Sequence, residues 1–99
     1  MAYDSKFKRE DIDELFEAIL LLDDLEDCYR FFEDICTIKE IQSIAQRLQV
    51  AKLLSEKKTY VNIEEMTGAS TATISRINKC LVYGADGYAR ILKKMQDKV

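Results

Sequence analysis

Residues 68 to 78 read "GASTATISRIN": a glycine, a run of small and hydroxyl side chains, then Ile74, Arg76 and Ile77. Side chains of this kind bind rather than make bonds. Ser70, Thr71 and Thr73 stand where a helix would begin, and hydroxyls together with unpaired N–H groups at a helix start hold phosphate oxygens. Placed at about 100° per residue, Ile74, Ile77 and Leu81 share one sector. Ala72, Ser75 and Lys79 lie on the opposite side, with Arg76 beside them. Ala72 is small enough to let a helix sink into a major groove or touch a thymine methyl. Ser75 and Lys79 reach base edges or the opposite backbone. A Ser/Thr-rich start alone describes any well-capped surface helix. Gly68, the small residues and the Ile74–Arg76–Ile77 spacing together point to DNA.

The elements that must position this segment are read from hydrophobic period and caps. Asn62 and Glu65 have the spacing of a capping box for a short helix carrying Ile63 and Met66. Gly68 closes that helix in the left-handed conformation. Ser70 or Thr71 caps the next, which runs to about Tyr83 with Ile74, Ile77 and Leu81 packed back on Ile63 and Met66. Residues 62 to 83 thus form a helix-turn-helix. Upstream, Thr37 and Glu40 make another box that opens the longest helix, with Ile41, Ile44, Leu48, Ala51 and Leu54 as its buried stripe and "SEKK" as its end. Asp11 to Leu25 is periodic, and "LEDCYRFFEDI" follows with Leu25, Cys28, Phe32 and Ile35 on one side. After the "YGADG" loop, Asp86 caps a last helix that turns Tyr88, Ile91, Leu92 and Met95 inward. The chain is therefore read as all-α, six helices in a single domain over residues 1 to 99.

Composition agrees. The 99 residues include no proline and three glycines, so little breaks a helix. Nearly half are apolar and a third are charged, as in a soluble globular protein. The longest apolar run, Ala18 to Leu22, is too short to span a bilayer, and with no signal peptide or lipidation motif the expected location is cytoplasmic. The absence of histidine removes the commonest general base and metal ligand. Cys28, Cys36 and Cys80 lack CxxC spacing and read as buried or half-buried thiols in a reducing compartment, so neither a disulfide framework nor a metal site is expected. Without a phosphate loop, or a nucleophile paired with a base, an enzyme is not expected either.

Charge is spread unevenly. Residues 1 to 36 carry four Lys/Arg against twelve Asp/Glu, a balance of −8. Residues 37 to 69 balance at +1 and residues 70 to 99 at +4. The acidic first third, with Leu20 and Leu21 widening its apolar stripe, offers more apolar surface than a small monomer hides, and is read as dimerisation helices.

"TIKEIQSIAQRLQVAKLL" followed by "GASTATISRIN" resembles the tryptophan repressor family, in its YerC/YecD-type branch of Gram-positive bacteria. The resemblance is strongest from about Thr37 to Leu81. "ATISR" alone is common to many helix-turn-helix repressors; the long Thr37 helix with Arg47 ten residues in singles out this family. The resemblance implies a six-helix, intertwined homodimer whose recognition helices enter successive major grooves of an operator, the docking geometry for which the Trp repressor is a standard example. It also implies that Arg47 and Arg76 frame an amino-acid corepressor and that Thr37 lines its pocket. Ile77 and Cys80 depart from the pattern, standing where corepressor-binding members have glycine and serine. A branched side chain at Ile77 takes the space an indole requires, so control by tryptophan is not expected and no cofactor is assigned.

From the residues themselves, Arg47 falls in the sector of Ile44, Ala51 and Leu54 with no carboxylate at helical spacing, so it calls for a tertiary partner or a small anionic effector. The resulting expectation is a dimeric, sequence-specific DNA-binding regulator, a repressor of double-stranded operator DNA. The alternative is a protein-interaction adaptor that keeps the scaffold without DNA binding and uses the acidic run Asp23, Asp24, Glu26 and Asp27.

Overall fold

The computed structural model describes residues 3–98; the two ends of the expected domain, residues 1 and 99, lie outside them. Among the described residues there are six helices and no strand: α1 (Glu10–Leu20), α2 (Leu25–Ile35), α3 (Ile38–Ser55), α4 (Tyr60–Thr67), α5 (Thr71–Tyr83) and α6 (Gly87–Asp97). The chain divides after Thr37 into two compact units.

The first unit contains α1 and α2, neither of which buries a residue. α1 stops at Leu20, earlier than its periodic pattern. The Leu21 and Leu22 N–H groups donate to Ala18 and Ile19 carbonyls, a tightening to i→i+3 bonds that ends the helix. Asp24 then caps α2, its carboxylate accepting from the Asp27 N–H at 2.9 Å. Leu20, Leu21 and Leu25 remain 82%, 79% and 74% exposed.

The second unit is built on α3, against which α4, α5 and α6 pack. Its core is Val50, Ala51 and Leu53 of α3, Ile63 of α4, Ala69 of the turn, and Ile74 and Ile77 of α5. Leu54, Tyr60, Leu81, Tyr88 and Leu92 pack around it. Each fully buried isoleucine or valine contributes on the order of 1.5–3 kcal/mol.

Several local expectations are corrected. The buried part of α3 is its last turns, including Val50 and Leu53, whereas Ile44 is exposed. Ile41 and Leu48 of the earlier turns are half-buried. Met66 is also exposed rather than packed under Ile77, and Ile91 and Met95 of α6 are nearly half exposed. The cap of α4 is Thr59, whose Oγ1 accepts from the Asn62 N–H at 3.2 Å, so the helix begins two residues before Asn62. Asp86 has φ 69° and makes no side-chain cap. Cys28 and Cys36 are half-buried but Cys80 is exposed.

Candidate nucleic-acid interface

Local chemistry builds the turn between α4 and α5. Gly68 sits at φ 75°, the left-handed conformation that costs glycine least, and its N–H donates to the Glu64 carbonyl at 2.9 Å. The Thr67 hydroxyl donates to the Ile63 carbonyl at 2.7 Å and accepts from the Ala69 N–H at 3.1 Å. The Thr67 carbonyl in turn accepts from Gln46 Nε2 at 3.1 Å, tying the turn to α3. Buried Ala69 seats it on the core.

Ser70 caps α5. Its Oγ accepts from the Thr73 N–H at 3.2 Å and bonds the Thr73 hydroxyl at 3.1 Å. Such a cap contributes about 1 kcal/mol. The Thr71 hydroxyl, expected to meet phosphate, instead donates to Glu64 Oε1 at 2.5 Å. Three hydroxyls of the Ser/Thr run are thus engaged in holding the helix start. The N–H groups of Thr71 and Ala72 have no partner among the described residues.

Beyond the first turn, the faces separate as the spacing predicts. Ile74 and Ile77 are buried; Ala72, Arg76 and Lys79 are exposed and Ser75 is half-exposed. Neither Arg76 nor Lys79 forms an ion pair among the described residues. The outward face of α5 is therefore small at Ala72, polar at Ser75 and cationic at Arg76 and Lys79, on a helix anchored by its opposite side.

The residues expected around an effector are distributed differently. Thr37 is exposed immediately before α3. Arg47 is exposed and forms no ion pair among the described residues, so within this chain it carries no burial penalty to offset. Ile77 is a core residue at 3% exposure. Arg47 and Cys80 do share an environment, through Tyr88 of α6. Burial holds the Tyr88 phenol above its ordinary pKa; the Cys80 thiolate pushes it further up, and the Arg47 guanidinium pulls it down. Tyr88, legible in the sequence only as an inward aromatic, joins that neighbourhood. An open groove of about 500 Å³ lies elsewhere in the second unit, between Lys52, Ser55 and Glu56 of α3 and Leu92, Lys93 and Met95 of α6. It includes none of Thr37, Arg47, Arg76, Ile77 or Cys80.

A short helix, a left-handed glycine turn and a second helix presenting a polar, cationic face, all braced on a long helix, define an all-α protein of the helix-turn-helix class. Residues 10–96 match the family described as Trp repressor protein, and the chain belongs to that family. It is 56% identical over 92 residues to the uncharacterized protein YerC of Bacillus subtilis, covering 93% of this chain and 88% of the relative. Two solved structures are similar throughout. One, a Trp repressor candidate from Staphylococcus aureus, has a TM-score of 0.88 and 53% identity, covering 92% of this chain and 91% of that one. The other, a TrpR-like protein from Eubacterium eligens, has a TM-score of 0.89 and 54% identity, covering 94% and 96%. The family is one of DNA-binding regulators and not of enzymes. No helix among the described residues is long and apolar enough to cross a membrane.

Proposed function

We propose that this chain is a dimeric, sequence-specific DNA-binding repressor that acts without tryptophan. The observation that carries this reading is the outward face of α5. Ala72, Ser75, Arg76 and Lys79 lie opposite the buried Ile74 and Ile77, on a helix whose start is fixed by Ser70 and Gly68. On such a face, Ser75 and Lys79 read base edges or phosphate, Arg76 borders the groove, and Ala72 permits close approach. The main-chain N–H groups of Thr71 and Ala72 bind backbone phosphate; Ser70 and Thr73 contribute through the cap they form. The +4 balance after residue 69 favours DNA over a purely protein-binding adaptor.

Dimerisation is supported by the apolar surface left uncovered: Leu20, Leu21 and Leu25 in the first unit and Ile38 and Ile44 on α3 are all exposed. A lone chain with that much apolar surface in water is an unfavourable state. The core position of Ile77 supports independence from tryptophan, because the space an indole would need beside Arg76 is occupied by a packed side chain. Exposed Arg47 remains available to a small anionic effector of another kind.

The test is selection of duplexes from a random pool at moderate salt, with and without tryptophan. The expected result is a palindrome with half-sites about one helical turn apart, enriched equally in both conditions. Ser75→Ala and Lys79→Ala should abolish enrichment while leaving the helical circular-dichroism signal intact. Failure to enrich any sequence would favour the adaptor.

A further inference from the structure

We propose that Glu64 is a built-in counter-charge that restrains non-specific DNA binding by the helix-turn-helix, an inference that rests on the DNA-binding reading above. Glu64 is exposed on α4, seven residues before Thr71, yet its carboxylate accepts the Thr71 hydroxyl at 2.5 Å. Its main chain is held too, since its carbonyl accepts the Gly68 N–H at 2.9 Å. The turn and the hydroxyl together fix a negative charge beside the first turn of α5. That is the positive end of the helix, where the Thr71 and Ala72 N–H groups are unpartnered among the described residues.

A phosphate approaching those N–H groups meets the Glu64 carboxylate at close range. The repulsion acts on every duplex alike, because phosphate contacts carry no sequence information. Contacts from Ser75 and Lys79 to base edges are unaffected in kind. A uniform repulsion leaves the ratio of specific to non-specific affinity unchanged and lowers the absolute affinity for every duplex, so the chain dwells less on the many non-target sites of a genome. Glu64 thus sets the strength of backbone binding without touching a base. Its neighbour Glu65 is also exposed and makes no bond to α5 among the described residues, so it offers a control of the same charge.

The measurement is fluorescence anisotropy with a short random-sequence duplex, across a salt series, for the wild-type chain, Glu64→Gln, Glu65→Gln and Thr71→Val. Glutamine keeps an acceptor for Thr71 and removes the charge, and melting curves check that each variant folds. Glu64→Gln should tighten non-specific binding about threefold to tenfold at low salt, with the gain shrinking toward unity as salt rises. Glu65→Gln should give a clearly smaller gain, and Thr71→Val, which keeps the charge, should stay within about twofold of wild type. An unchanged or weaker Glu64→Gln, a gain indifferent to salt, or an equal gain from Glu65→Gln would overturn the proposal while leaving DNA binding standing. Absence of any wild-type binding at low salt would overturn both.

Discussion

Gln46 and Thr67, twenty-one residues apart, are joined by a hydrogen bond of 3.1 Å from the Gln46 amide to the Thr67 carbonyl. It is a polar link between the long helix α3 and the turn that aims α5. The carbonyl it satisfies belongs to the last residue of α4, where helices leave acceptors unpaired. Gln46→Ala should cost about 1 kcal/mol, read as a lower urea midpoint with an unchanged slope. A stability equal to wild type would mean that water replaces the amide without loss.

The two glycines flanking α5 should fail in different ways when substituted. At Gly68 a Cβ meets nothing within 4 Å, so Gly68→Ala loses only the left-handed preference, about 1–2 kcal/mol. At Gly84 a Cβ would lie 2.3 Å from the Cys80 carbonyl oxygen, which also accepts the Gly84 N–H. Gly84→Ala must therefore open the end of α5. Amide exchange should accelerate at Val82 to Gly84 in that variant and stay unchanged there in Gly68→Ala.

Ile77 is a core residue facing away from the polar side of α5. Ile77→Ala should cost about 2–5 kcal/mol, measured by denaturant unfolding. Calorimetry of the wild-type chain with free tryptophan should show no sub-millimolar binding. Saturable heat in that range would mean that the core opens to admit an indole.

Tyr88 should titrate above the ordinary tyrosine value, observed by carbon NMR of labelled tyrosines. Because the folded-state value is raised, the neutral phenol is the form the fold favours. Its contribution to stability is complete below the unfolded value of about 10 and is lost as pH rises from there through the higher folded value. Cys80→Ser removes a thiolate and should lower the Tyr88 value; Arg47→Met removes a cation and should raise it. No response to either substitution would separate the three residues.

The Ser70 cap supplies one more check. Ser70→Ala removes the acceptor of the Thr73 N–H and should cost about 0.5–2 kcal/mol; Ser70→Asp should restore it. If DNA binding falls in Ser70→Ala only as far as stability does, Ser70 works through the cap rather than through phosphate.

Six helices, the Gly68 turn, a cap at Ser70 or Thr71 and the split between Ile74/Ile77 and Ala72/Ser75/Lys79 were legible in the sequence; the structure chose Ser70. Each depends on residues within one or two helical turns, where backbone preference and period act directly. The sequence was a weaker guide wherever two local signals competed. The capping-box spacing points to Asn62 as the cap of α4, but Thr59, three residues earlier, takes that place, and the seating of Tyr60 against the core accompanies the earlier start. Ile41, Ile44 and Leu48 continue the apolar stripe of α3, yet only its final turns have α4, α5 and α6 to pack against. Periodicity marks which face is apolar and is silent on whether a neighbour exists. The bonds from Gln46 to Thr67 and from Glu64 to Thr71, and the meeting of Arg47, Cys80 and Tyr88, were decided by tertiary structure alone. Groups seven, twenty-one or forty-one positions apart meet only after a core of Val50, Ile63 and Ile74 has set the distances between their helices.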